Sequence, residues 1–426
     1  MQVSECAISR FTNFEFLMEF DILRLTNGLR VLHFEDKNIM TVHCGFIINA
    51  GSRDELSTEN GIAHLIEHCM FKGTQRRKAF HILTRLDSVG GEINAYTTKE
   101  ETSVYASALK EHFNRAAGLL VDITFGSIFP EKEIEKEKSV IVDEINSYKD
   151  NPDEMLLDEF EEKLFPEHPL GKSILGTADL VNGFTREDIM RFVERNYTTD
   201  QIVFTCVGNV SLRRIEAFSK NVLEKIPTSK SNRIHRTIPH SHMFKESKQT
   251  SVHQVHSLLG CKTIGFDDDR RRAMVLMNNV LGGPALNSRL NLNIRERFGY
   301  CYYIESSYSP YADTGVFQIY FGTDKRHEKK VAKLIVKELR SLTDIALSER
   351  LLSVAKKQLL GQIALSQENR ANLMLSLGKA LLQFDRVDRF EEIQSQVHDI
   401  TALEIQELAA ETFDQKNLAS LSYIPE

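Results

Sequence analysis

The sequence contains no apolar run of 18 residues, which excludes a membrane-spanning helix. Its six cysteines (Cys6, Cys44, Cys69, Cys206, Cys261 and Cys301) are scattered and form no CxxC pair. In a chain of 426 residues they read as reduced core thiols of a cytosolic-type protein, not as a disulfide framework. Positive charge is not in excess: 53 Lys and Arg against 60 Asp and Glu leave −7, so no overall field favours nucleic acid. Glycine and proline are sparse, at 22 and 9 residues, and the composition is neither collagen-like nor disordered. The opening MQVSECAISRFTNFEF lacks a basic n-region and a continuous apolar h-region, so no secretory signal is expected. These absences predict a cytoplasmic protein, or an organelle-matrix protein if a targeting segment has been removed. They predict no membrane and no nucleic-acid partner.

What is present is a folded composition, 42% hydrophobic and 27% charged, in a length that suits two domains. Residues 30–49 alternate as two strands, the second over Thr41–Ile48. A helix follows over Gly61–Phe71, with Lys72-Gly73 as its stop, and another over Ala79–Val89 before a Gly90-Gly91 break. Strands are predicted at Glu92–Thr97, Thr102–Leu109 and Gln201–Gly208, and helices near 111–126, 131–149, 153–165 and 211–223. Residues 227–249, PTSKSNRIHRTIPHSHMFKESKQ, are polar, basic and aperiodic, and read as a linker. A strand then begins again at SVHQVHSLLG, with helices near 269–281 and 287–297 around a Gly282-Gly283-Pro284 turn. Strands at 300–309 and 314–323, long helices from 326 to 412 and a final strand at Leu418–Tyr423 complete the pattern. Two copies of one α+β domain are therefore expected, over 1–226 and 250–426.

The chemistry centres on His64-Leu65-Ile66-Glu67-His68. On a helix, residues four apart share a face, so His64 and His68 can chelate one ion. Two imidazoles leave room for a third protein ligand and a water, as zinc requires. Glu67 is placed to take a proton from water beside that ion without being a ligand. A candidate third ligand stands in EKEIEKEKSVIVDEINSYKD: Glu144 lies among Val140, Ile141, Val142 and Ile145, where a carboxylate is costly unless compensated. Glu137, two turns earlier on the same face, could orient a ligand histidine or be a surface charge.

The order H-x-x-E-H inverts the common H-E-x-x-H, and here the chain resembles the insulinase/pitrilysin peptidases, the inverzincins. GIAHLIEHCMFKGT is similar to that family's G-x-A-H-x-x-E-H-x-x-F-K-G-T, and GGEINAYTTKEETSVYAS to its G-G-x-x-N-A-x-T…T-x-Y block. The family's third ligand is a glutamate well downstream, and 144 − 68 = 76 places Glu144 in that window. Glu137 falls where the family carries a supporting glutamate. Cys69 departs from the usual Met or Leu. The resemblance runs from about Asn27 to the C-terminus. It implies two domains like those of the mitochondrial processing peptidase, each a mostly antiparallel sheet packed with helices, together half of a clamshell.

In the second half, NIRERFGYCY resembles the family's R-E-x-x-G-L-x-Y. The resemblance assigns Arg295 and Tyr302 to substrate binding and support of the scissile carbonyl, with Tyr300 as a weaker alternative to Tyr302. Both are apt donors to an oxyanion. His253 and His256 are three apart and read as structural, because strand alternation sends them to opposite faces. The resemblance implies a zinc endopeptidase with one Zn²⁺ per chain, held by His64, His68 and Glu144, with Glu67 as general base. Asn94 and Ala95 would hold the substrate backbone by strand addition. It further implies a homodimer, or a heterodimer with a related subunit, enclosing short or unfolded peptides. The alternative is a catalytically silent partner or core subunit of a processing complex.

Overall fold

The computed structural model describes residues 19–231 and 236–426. The N-terminal signal reading, Cys6 and the centre of the linker lie outside those residues. The first sheet is built from β1 (Asp21–Arg24), β2 (Arg30–Glu35), β3 (Thr41–Ile48), β4 (Glu92–Thr97), β5 (Thr102–Leu109) and β6 (Ile202–Gly208). Between β3 and β4 stand α1 (Ile62–Cys69) and α2 (Ala79–Asp87). Between β5 and β6 come α3 (Phe113–Phe125), α4 (Glu131–Tyr148), α5 (Pro152–Leu164), α6 (Ala178–Gly183) and α7 (Arg186–Asn196), and α8 (Leu212–Asn221) follows β6. The second sheet contains β7 (Lys245–Thr250), β8 (Val255–Thr263), β9 (Cys301–Pro310), β10 (Gly315–Thr323) and β11 (Ala419–Pro425). Its helices are α9 (Arg271–Gly282), α10 (Glu328–Asp344), α11 (Glu349–Gln367), α12 (Arg370–Phe384), α13 (Phe390–Asp399) and α14 (Ala402–Thr412), with a π-helical turn over Asn291–Glu296.

The strand orders show the repeat. The sheets run β1-β2-β6-β3-β5-β4 and β7-β11-β8-β10-β9. In each, one parallel pair (β2 with β6, β7 with β11) is followed by antiparallel pairings. Apart from the extra edge strand β1, β2 corresponds to β7, β3 to β8, β4 to β9, β5 to β10 and β6 to β11. The fold is α+β, with two similar sheet-plus-helix units. The second sheet begins at Lys245, inside the stretch read as linker, because β7 is an exposed, charged edge strand with no apolar alternation to reveal it. His253 precedes β8 and only His256 lies on it, donating to or accepting from the Tyr320 hydroxyl at 2.7 Å. Strands β1 and β7 and helices α6 and α7 were not legible from the pattern.

The two units exchange helices. β6, IVFTCVG, is buried on both faces. One face joins Phe46, Cys44 and Phe204 in the first unit's core. On the other, Leu32, Ile47, Val203 and Val207 meet Leu373, Met374, Leu377 and Leu381 of α12. Reciprocally, Leu156, Phe160 and Leu164 of α5 pack on Leu258, Val316, Ala419 and Leu421 of the second sheet. A strand with two buried faces loses alternation and becomes uniformly apolar. Gly378 lets α12 approach, since a Cβ there would lie 2.5 Å from both Ile47 and Thr205. Among the described residues no helix is long and apolar enough to cross a membrane.

Candidate metal centre

Helix α1 buries Ile62, Ala63, Leu65, Ile66 and Cys69 in the first core, which turns His64, Glu67 and His68 to the opposite face. Its start is pinned in two ways. Gly61 adopts φ 98°, and a Cβ there would lie 2.7 Å from the Leu175 carbonyl oxygen. Only glycine meets both demands. The Glu55 carboxyl accepts from the amides of Ala63 (2.9 Å) and Gly61 (3.0 Å) and from the Asn60 side chain (3.1 Å), capping the helix. Burial nevertheless pushes the Glu55 carboxyl up to about 8, outweighing those donors.

The His64 and His68 rings sit with centroids 4.7 Å apart. Glu144, projecting from α4, brings Oε2 within 3.9 Å of His64 Nε2 and 3.7 Å of His68 Nε2. One ligand atom from each of the three lies within 4.8 Å of the others. His68 Nδ1 meets Glu137 Oε2 at 3.1 Å, while Glu137 Oε1 accepts from Lys72 Nζ at 2.7 Å. A carboxylate on Nδ1 fixes the tautomer and leaves the Nε2 lone pair facing Glu144. Burial, helped by His68, pushes the His64 imidazolium down to about 4, so the ring is neutral and can donate its lone pair. Two imidazoles and a carboxylate converging on one point suit a zinc ion with a fourth position open.

The environment of Glu144 differs from the sequence reading. Its side chain is 44% exposed and Val140 is 48% exposed, so the apolar run does not enclose the carboxylate. α4 lies across α1 with one edge in solvent, and Glu144 reaches the cluster along that edge. Glu137, in contrast, is buried at 7% exposure and is no surface charge. Burial pushes the Glu67 carboxyl above the ordinary carboxylate range, with Thr97 and His68 pulling the other way.

A cavity of about 270 Å³ opens on this face, lined by His64, Glu67, Tyr96, Thr97, Tyr148 and Asp158, with residues 173–175 closing one side. It shares Tyr148, Asp158, Ser173 and Leu175 with a neighbouring cavity of about 640 Å³. Asn94 and Ala95 lie on β4, the outer strand of the first sheet, with Asn94 exposed and Ala95 half-buried. Arg295 and Tyr302 do not line the cavity. Arg295 donates to Asn291 Oδ1 at 3.1 Å on the π-helical turn, and the exposed Tyr302 donates to Asp324 at 3.2 Å. Tyr300 stacks on Phe298, with centroids 5.3 Å apart, and packs within its own unit. The Gly282-Gly283 turn is tightly packed, as a Cβ on either glycine would lie 2.7 Å from a neighbouring backbone atom. Sequence reasoning missed Glu55, Lys72, Tyr96, Tyr148 and Asp158. Lys72 and Tyr96 stand inside the quoted motifs, whereas Glu55 and Asp158 carried no local signal.

A doubled α+β fold with a His–His–Glu cluster beside a buried glutamate defines a class of metallopeptidase-like proteins, and solved structures share the architecture. A peptidase M16 inactive domain from Pseudomonas fluorescens superposes with a TM-score of 0.89 over 96% of this chain and 99% of that one, at 19% identity. A protease from Helicobacter pylori gives 0.87 over 96% and 100%, at 20% identity. Residues 30–178 match the family described as Insulinase (Peptidase family M16), and residues 183–359 match Peptidase M16 inactive domain. An uncharacterized zinc protease of Bacillus subtilis strain 168 is 32% identical over 91% of this chain and 94% of its own length. One of Streptomyces coelicolor is 31% identical over 94% and 88%. The chain belongs to the insulinase family of peptidases, M16, and these relatives support a metallopeptidase. The metal cluster falls in the segment matched as Insulinase. The segment matched as inactive domain contributes no metal-binding group of this kind among the described residues.

Proposed function

We propose that the chain is a zinc endopeptidase in which His64, His68 and Glu144 hold one Zn²⁺ and Glu67 is the general base. The observation that carries this reading is the convergence of three ligand atoms within 4.8 Å on the helix face that also presents Glu67. Zinc held there supplies Lewis acidity towards a peptide carbonyl and towards water. Glu67, raised in basicity by burial, accepts a proton from the attacking water and returns it to the departing amine nitrogen. The free edge of β4, at Asn94 and Ala95, offers backbone groups to an extended peptide. Glu137 keeps His68 in the ligating tautomer.

Because Arg295 and Tyr302 lie outside the cavity, their donors would reach a substrate from a second chain. The assembly in this reading is a dimer, homomeric or with a related subunit, that closes the zinc-bearing unit of one chain against the second unit of the other. Such a chamber admits short or unfolded peptides. The test is Glu67→Gln: zinc content stays at one per chain while cleavage falls by about 10²–10⁴-fold. Cleavage at the wild-type rate would overturn the mechanism. A zinc-loaded wild-type chain that cleaves no peptide would instead support a silent subunit.

A further inference from the structure

The turn between β4 and β5 carries three consecutive charges, Lys99, Glu100 and Glu101, which in a hairpin would ordinarily be solvated. Here all three are enclosed: Lys99 is 7% exposed, and the Glu100 and Glu101 side chains are 13% and 15% exposed. Each is held by a different part of the seam between the two units. Lys99 donates to the Lys172 carbonyl oxygen and lies 3.7 Å from Glu161 on α5, the helix laid on the second sheet. Glu100 meets Arg53 at 2.6 Å and Arg236 at 3.3 Å, and it accepts from the Ala312 amide at 2.9 Å. Arg53 in turn donates to Asp313 at 2.8 Å. Ala312 and Asp313 form the β9–β10 turn, the counterpart in the second unit of the β4–β5 turn itself. Glu101 pairs with Lys379 of α12, and the Tyr96 hydroxyl donates to Glu101 at 3.3 Å. Lys379 also lies 5.2 Å from the centre of the Tyr96 ring.

Buried charges are costly unless every one is paired, and Lys379, the Ala312 amide and Asp313 come from the second unit, so the pairing of the turn is complete only while that unit stays docked. Tyr96 and Thr97 continue from the turn into β4 and line the cavity beside Glu67. We infer that the Lys99-Glu100-Glu101 turn is a positioning element through which the second unit sets the place of strand β4 beside the metal cluster. Lys379, Arg53, Arg236 and Asp313 are then positioning residues for substrate binding, none of them touching substrate. A strand that receives an extended peptide must present its edge in one register, and a loosened turn lets it shift. The inference rests on the peptidase reading and extends it to residues of the second half.

The experiment compares zinc-loaded full-length wild type, Lys379→Met, Lys379→Arg and Glu100→Gln in hydrolysis of an unfolded fluorogenic peptide. Binding of the same peptide, fluorescein-labelled, is measured separately in the Glu67→Gln background. Lys379→Met and Glu100→Gln should each raise KM and the binding Kd by about five- to tenfold, with kcat and zinc content within about twofold of wild type. Lys379→Arg, which keeps the charge and can still cover Tyr96, should restore both constants. Unchanged KM and Kd in Lys379→Met would overturn the inference. So would a joint fall of zinc content and kcat at constant KM, the mark of a purely structural role. If wild type cleaves nothing, the peptidase reading fails, and the Kd comparison alone decides the role of the turn.

Discussion

Glu137 is shared between His68 and Lys72: one carboxylate oxygen lies 3.1 Å from His68 Nδ1 and the other accepts from Lys72 Nζ at 2.7 Å. The lysine neutralises a buried carboxylate that the histidine needs for orientation. Removing the charge of Glu137 therefore acts on the metal through His68. Glu137→Gln should weaken zinc binding by about 10–100-fold, measured by competition with a chromophoric chelator. An unchanged affinity would show that the His68 ring is held by packing alone.

Zinc should also stabilise the fold. An ion bound only by the native cluster raises stability with its free concentration above Kd, by about 2.7 kcal/mol at a hundredfold excess. Chelator treatment should lower Tm and abolish peptide cleavage, and added zinc should restore both. Glu144→Ala should lose most of the zinc-dependent rise in Tm. A rise of wild-type size in that variant would remove Glu144 from the ligand set.

Glu55 predicts a pH dependence of stability. Its carboxyl stands at about 8 in the folded chain against an ordinary 4.5, so between those values the native state holds a proton that the unfolded state has released. Stability from this group is full below the lower value and is lost as pH rises through the higher one. Between about pH 5 and pH 8.5 the wild-type Tm should fall more than that of Glu55→Gln. Equal slopes in the two melting series would count against the shift.

The exchanged helix makes a packing prediction. Leu377 is buried on the first sheet, so Leu377→Ala should cost about 2–5 kcal/mol in denaturant unfolding. Leu365 is 75% exposed, and Leu365→Ala should stay within about 0.5 kcal/mol of wild type. A cost for Leu377→Ala as small as that for Leu365→Ala, which lies on the neighbouring α11, would mean that α12 does not bury its face on β3 and β6.

A mixing experiment tests the dimer. Glu67→Gln and Arg295→Ala chains, each inactive alone, should regain up to about a quarter of wild-type activity once subunits have exchanged. The absence of recovery after proven exchange would place the donors and the metal within one chain.

The metal helix, the strand over Thr41–Ile48 and the strands flanking the Lys99-Glu100-Glu101 turn were legible in the sequence. Their information is local: a 3.6-residue spacing for His64 and His68, and a two-residue alternation for β3, β4 and β5. Glu144 was singled out by its apolar neighbours and joined to the two histidines by the resemblance, because no periodicity links it to a helix 76 residues earlier. The argument from its apolar neighbours did not hold, since an edge of α4 faces solvent there. β7 escaped notice because an exposed edge strand buries neither face.

By itself, the sequence determined which residues could bind a metal and on which face of α1 they stand. Only the tertiary structure decided that α5 and α12 cross to each other's sheets, and that three charges in a hairpin turn are enclosed at the seam. Side-chain spacing is written within one element, whereas burial of a charge depends on what a distant segment lays over it.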